Sequence, residues 1–120
     1  MTAGVSATRA NTWLGELSGL SMALHTGDPG SAGTSNASAE TSKKTLTLAA
    51  ASGGSRSMSG TAPTWTTWTA GSETLTHASV WSSSGTVFEY SFAFTASKSV
   101  SNGDNVSLAT HSVSVTPVAA

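Results

Sequence analysis

Three histidines, His25, His77 and His111, and six carboxylates are the side chains of this sequence best suited to chemistry. Three imidazoles can hold a zinc ion when all of them converge and a second shell orients them. Their spacing gives no such support. Each falls on or beside an alternating apolar segment, where an imidazole commonly bonds a carbonyl or hydroxyl at the edge of a core. His25 and His77 become neighbours if their segments pair, and a titrating pair would make that contact pH-sensitive. A serine nucleophile needs a base and a shaped turn, but no G-x-S-x-G elbow is present and Gly53-Gly54-Ser55 lacks the strand-turn-helix context. Nothing brings two acids together for glycoside hydrolysis. Asp28, the acid beside a Gly-rich loop, falls far short of the oxygens that calcium requires. The expectation is a protein with no catalytic, cofactor-binding or metal-binding residues and no cofactor.

The tryptophans offer a different chemistry, since Trp65, Trp68 and Trp81 could stack on sugar rings if their strands expose them. Aromatic side chains more often fill a core or a subunit contact. Trp65 and Trp68 are three residues apart, so in a regular strand they face opposite sides, and one of them is expected to be exposed or to meet a partner.

Composition narrows the partners. The 120 residues fit one domain, 1–120, and only 9% are charged, against roughly 25% for an average globular chain. Ser and Thr make up roughly a third of the chain, so the surface is hydroxylated rather than ionic. With 38% hydrophobic residues and a net charge of −1 the chain lacks the signature of disorder. Arg9, Lys43, Lys44, Arg56 and Lys98 are too scattered for a nucleic-acid surface. No apolar run is long enough for membrane insertion, and Met1 to Gly4 is not followed by the pattern of a secretory signal. No cysteine is present, so no disulfide framework exists. A chain with so little charge has weak protection against self-association, which points to an assembly, most simply a homo-oligomer.

These residues must be positioned by one helix and a series of strands. Ala10, Trp13, Leu14, Leu17 and Leu20 recur at helical spacing, predicting a helix over about 7–19 that Ser6 or Thr8 caps and Gly19 ends. Leu20, Met22 and Leu24 alternate with Ser21, Ala23 and His25 as in a half-buried strand, and Asp28-Pro29-Gly30 then forces a turn. Residues 27–42 read as a long exposed loop, and Lys44 to Ala50 as a short strand with Leu46 and Leu48 inward. Ser52 to Gly60 reads as a second flexible loop, and Thr61 to Thr69 as a strand with Pro63 near its start.

From Glu73 to Trp81 the alternation places Leu75, His77, Ser79 and Trp81 opposite Thr76, Ala78 and Val80. A tight connection at Ser82 to Gly85 leads to Val87–Phe94, where Phe88, Tyr90, Phe92 and Phe94 share one face, the best candidate for the core. The Asn-Gly pair in Ser101 to Asp104 favours a hairpin turn before Val106 and Leu108. A last strand follows with Val113 and Val115 inward, ended by Pro117. Strands from about 20 to 116 behind one short helix predict an all-β fold, an antiparallel β-sandwich or jelly-roll-like barrel.

The segments ALHTGDPG (23–30), AAASGGSR (49–56), TLTHASVW (74–81) and SNGDNVSL (101–108), in this order behind a short helix, resemble a family of small virion proteins of tailed bacteriophages, the minor tail or tail-fibre-like structural proteins. There a strand ends in a LHTADPG-like turn, and a Gly/Ser loop, a strand with a THxGLW-like pattern and a closing strand after a GD turn follow. The match runs from about Trp13 to Val115. Ser79-Val80 stands in place of the Gly-Leu pair, and Gly27 where Ala is frequent. The resemblance implies a non-enzymatic, β-structured virion component that associates with other tail or capsid proteins. Capsid decoration on the head and a receptor- or glycan-binding module acting on a host surface glycan are the alternative roles. Trp13, Leu17, His25, Asp28, Pro29, Trp65, Trp68, His77 and Trp81 are the interface candidates.

Overall fold

Ser6 opens the one helix found among the described residues, which in this computed structural model are 4–82 and 85–115. Its hydroxyl accepts from the Arg9 amide at 3.2 Å, which satisfies one of the free amides of the first turn. The helix, α1 (Ala7–Gly15), buries Ala10 and Leu14 and leaves Trp13 outside at 47% exposure. It is shorter than its apolar spacing implies. The chain leaves the helix at Glu16 and turns at Gly19 (φ +60°), so Leu17 and Leu20 reach the core from an irregular segment.

Eight strands follow among the described residues: β1 (Ser21–His25), β2 (Lys44–Thr45), β3 (Ser55–Ser57), β4 (Thr64–Trp65), β5 (Glu73–Ser82), β6 (Val87–Val100), β7 (Val106–Ser107) and β8 (Ser112–Ser114). All pair antiparallel, as a four-stranded sheet in the order β2-β1-β5-β6 and two smaller pairs, β3-β8 and β4-β7. The fold is mostly β with one short helix, as the alternation predicts. Met22 faces Val80 and Leu24 faces Ala78 across β1 and β5, and all four are buried. Leu46 and Leu48 beyond β2, Trp65 and Val106 paired across β4 and β7, and Trp68 complete the same core, a sandwich-like arrangement.

Two register shifts between β5 and β6 rearrange the faces that simple alternation assigns. The first, between Leu75 and His77, releases Leu75 from the face of His77, Ser79 and Trp81, and Leu75 joins Ala78 and Val80 in the core. The second, between Val80 and Trp81, sets Phe88 opposite Trp81, with the two rings 5.3 Å apart. A bulge puts two residues of one strand against one of the other and so changes which side chains share a face. Tyr90, Phe92 and Phe94 reach the core but are only partly buried, because β6 is the last strand of its sheet and has a neighbour on one side only. Within this sheet the buried apolar residues are Met22 and Leu24 of β1, Leu75, Ala78 and Val80 of β5, and Val100 at the end of β6.

Two further expectations change. Ser52 to Gly60, read as a flexible loop, contains β3, and Ala49 and Ser59 bond Ser57 and Thr47 across it. The turn at Ser101 to Asp104 does not fold β7 back on β6, because β7 pairs with β4. Its side chains are engaged elsewhere: Asn102 Oδ1 accepts from the Gly71 amide and Asn105 Oδ1 from the Thr67 amide. The loop after β1 is long and mostly exposed, as its composition predicts, with Pro29, Gly33 and Ser38 buried along it. The turn expected at Ser82 to Gly85 lies partly outside the described residues, and the strand end at Thr116 and Pro117 wholly so.

Candidate functional site

The face of the large sheet turned away from the core carries the densest group of the residues singled out above. His25 and His77 lie directly opposite each other on β1 and β5, with Ser79 and Trp81 on the same side of β5. The His25 ring sits between Ser35 O, 2.8 Å from Nδ1, and Ser79 Oγ, 2.7 Å from Nε2. A carbonyl only accepts, so Nδ1 donates to Ser35 O, and Nε2 pairs with the Ser79 hydroxyl. Ser79 Oγ in turn accepts from Trp81 Nε1 at 2.7 Å. The chain from indole to hydroxyl to imidazole to carbonyl leaves none of its members unpaired, as burial demands.

A serine 2.7 Å from a histidine has the outline of a nucleophile and its base. Its surroundings give it another role. Ser79 is 0% exposed and His25 2%, and the third position is a main-chain carbonyl rather than Asp28. Asp28 Oδ1 accepts from the Gly30 amide, and the Asp28 carbonyl accepts from Asn36 Nδ2. His77 bonds Thr76 Oγ1, and His111 lies apart from both. Among the described residues no group of three His, Asp or Glu side chains is placed to hold a metal, and no helix is long and apolar enough to cross a membrane.

The loop that follows β1 is pinned over this face. Thr26 N donates to Asn36 O, Ser35 N to Pro29 O and Ser38 N to Leu24 O, while Glu73 accepts from Ser38 Oγ and from the Ala39 amide. Pro29 is buried, and Gly33 (φ +75°) presses against the Phe88 ring so closely that a side chain there would overlap it. Lys43 Nζ lies 4.9 Å from the centre of the half-buried Trp81 ring, a cation–π contact.

Trp65 and Trp68 are both inside, at 2% and 1% exposure, which corrects the expectation that one of them is exposed. The strand β4 stops at Trp65, and Thr67 takes a left-handed conformation (φ +52°) that turns both indoles inward. Their N–H groups donate to Ser42 O and Gly71 O. A β-branched residue at positive φ is strained by about 1–2 kcal/mol. Bonds from Thr67 N to Asn105 Oδ1 and from Trp68 N to Asp104 O hold it there.

Two residues outside the expected set turn out to organise the molecule. Arg56, in β3, donates from Nη1 to Leu14 O and Leu17 O at 2.7 Å each, from Nε to Ala49 O at 2.8 Å and from Nη2 to Leu48 O at 3.2 Å. It ties the carbonyl end of α1, where a cation is favoured by the helix dipole, to the segment after β2. Only its place as the one cation among the small residues of 49–60 sets it apart in the sequence. His111 stacks on Phe92 with centroids 4.2 Å apart and bonds Tyr90 Oη through Nε2 at 2.7 Å. Burial pulls the His111 pKa below its ordinary value and pushes that of Tyr90 up, so the phenol donates and the imidazole accepts.

The surface displays Trp13 and Val87 as exposed large apolar side chains, at 47% and 46%. Leu17 is half-buried against the core, and Asp28 is exposed at the turn. Comparison at the family level places this antiparallel β framework in the class of bacteriophage fibre structural proteins. The family model described as Podophage GP4 fiber I protein gp80 matches residues 4–116, and the chain belongs to that family. It is accordingly a structural component of the virion. Comparison with curated proteins gives no match.

Proposed function

We propose that the chain is a non-enzymatic subunit of a bacteriophage tail fibre or of its attachment point, a minor tail protein. In this reading it folds as one domain over 1–120 and acts by assembling with copies of itself and with neighbouring virion proteins. The observation that carries this reading is the family match over residues 4–116. Its low charge, with a net value of −1, and the exposed Trp13 and Val87 support an assembled state, since such side chains gain by being covered. Burial of Ser79 and His25 supports a structural use of that pair.

Among the interface candidates, Trp13, Leu17 and Asp28 are the ones with surface to offer. His25, Pro29, Trp65 and Trp68 serve the subunit interior, and His77 and Trp81 lie half-buried beside the pinned loop. With Trp65 and Trp68 enclosed, a sugar-stacking surface has lost two of its three aromatic platforms.

Quantitative mass spectrometry of purified particles tests the reading. A copy number from a handful to dozens is expected of a tail or fibre protein. Hundreds per particle would place the chain on the head as a decoration protein, and absence from particles would end the proposal.

A further inference from the structure

We infer that the outer edge of β6 is where a second copy of this chain adds its own β6, antiparallel about a two-fold axis at Phe94. This deepens, and rests on, the assembly reading above. Four observations converge on that strand. Among the described residues it is the last strand of its sheet, 14 residues long, with β5 as its one sheet neighbour. Between Ala93, opposite His77, and Lys98, opposite Leu75, the residues Phe94, Thr95, Ala96 and Ser97 have no registered partner on β5 although the chain stays extended. Natural sheets guard such edges with charges, proline or bulges; residues 90–97 contain no charge and no proline, and the irregularity against β5 falls within their C-terminal half. Finally, Phe92 and Phe94 line an open groove of about 800 Å³, whose apolar part is shared with Met22, Leu24, Trp65 and Leu108 and whose rim is polar.

The pattern of the strand selects a second copy as the occupant. A two-fold axis normal to the sheet keeps each face on its own side, and residues equally far before and after the axis then stand opposite each other. About Phe94 this places Ala93 against Thr95, Phe92 against Ala96 and Ser91 against Ser97. The groove side becomes apolar on apolar, and the other side small on small. One step further out Lys98 meets the Tyr90 ring, so the charge at one end of the segment lands on an aromatic face rather than on a like charge. Pairing joins the two grooves along the axis and extends the sheet from four strands to eight.

Single cysteines test this in the full chain, which has none of its own. Directly opposite residues of an antiparallel pair have Cα atoms about 4.5–5.5 Å apart, within disulfide range. Oxidation of Phe94→Cys is expected to give a covalent dimer, and Val87→Cys is expected to stay monomeric on denaturing gels. Ala93→Cys and Thr95→Cys, both at exposed positions, are expected to cross-link rapidly when mixed and slowly alone, since like positions then lie on the diagonal at about 7–8 Å. Thr95→Pro removes a backbone amide and fixes φ at a position with no β5 partner. It is expected to shift the unmodified oligomer toward monomer in sedimentation velocity at unchanged circular dichroism. An oligomeric wild type with no cross-link at position 94 and no mixed 93–95 cross-link overturns the edge pairing while leaving assembly in place. A wild type that sediments as a monomer at every concentration overturns both.

Discussion

A guanidinium fork can serve carbonyls from several segments at once, and Arg56 does so at the junction of α1, β3 and the segment after β2. Bonds to a charged group contribute about 1.5–3 kcal/mol each at best, and the four here share one partly buried side chain. Arg56→Ala is therefore expected to lower the unfolding free energy by about 2–4 kcal/mol in urea titrations, and Arg56→Lys to recover less than half, because an ammonium cannot span the same carbonyls. A loss under about 0.5 kcal/mol would show that the staple is incidental.

His111 makes a prediction in pH. Its folded pKa lies below the ordinary 6.5 because burial disfavours the cation. The unfolded chain then binds the proton first. Its contribution is full above the ordinary value, declines as pH falls from there toward the folded value, and levels off below it. His111→Gln should remove that decline from the pH dependence of the melting temperature. An unchanged profile would contradict the assignment.

At the scale of elements, the pinned loop and the helix carry the expectations. Gly33 holds a positive φ against the Phe88 ring, so Gly33→Ala costs about 1–2 kcal/mol for the backbone alone and more for the displaced ring. Hydrogen exchange should report faster opening of residues 27–39, and protection equal to wild type would show that the loop does not depend on this approach. Trp13→Ser is expected to weaken assembly at least several-fold in sedimentation while leaving the melting temperature within a degree or two, because the side chain is exposed and the helix rests on Ala10 and Leu14. A large loss of stability with assembly intact would reverse that division of labour.

These elements also show what the amino-acid pattern makes legible. Period-two alternation sets Met22 and Leu24 on the buried side of their strand and groups Ala78 with Val80, and the helical spacing picks out Ala10 and Leu14, though it also includes the exposed Trp13. Leu75 and Phe88 are misassigned because alternation presumes an unbroken register, and both bulges depend on how two distant strands meet. Trp65 and Trp68 are misread for a local reason, the left-handed turn at Thr67, which a β-branched residue rarely adopts. The partners of His25 are legible only in part: pairing of the segments around His25 and His77 is foreseeable, whereas Ser35 O arrives from a loop with no periodicity. Arg56 is invisible to motif reading because its acceptors are all main-chain.

At the scale of the whole molecule, the β5–β6 hairpin sets the shape. A strand of 14 residues is about 46 Å long at ~3.3 Å per residue, close to the longest extent of 51 Å in a body 25 Å across. The radius of gyration, 15.3 Å, exceeds the roughly 13.6 Å of a compact chain of this length. A rod-like subunit with a long bare strand edge suits end-to-end or side-by-side packing in a fibre better than capping a lattice point. The most direct test is a cryo-electron microscopy reconstruction of the tail and its fibres from intact particles. The account predicts several copies of this four-stranded sheet within fibre density, each in contact with another. Density for the chain on the head, or isolated copies touching no other copy, would contradict it.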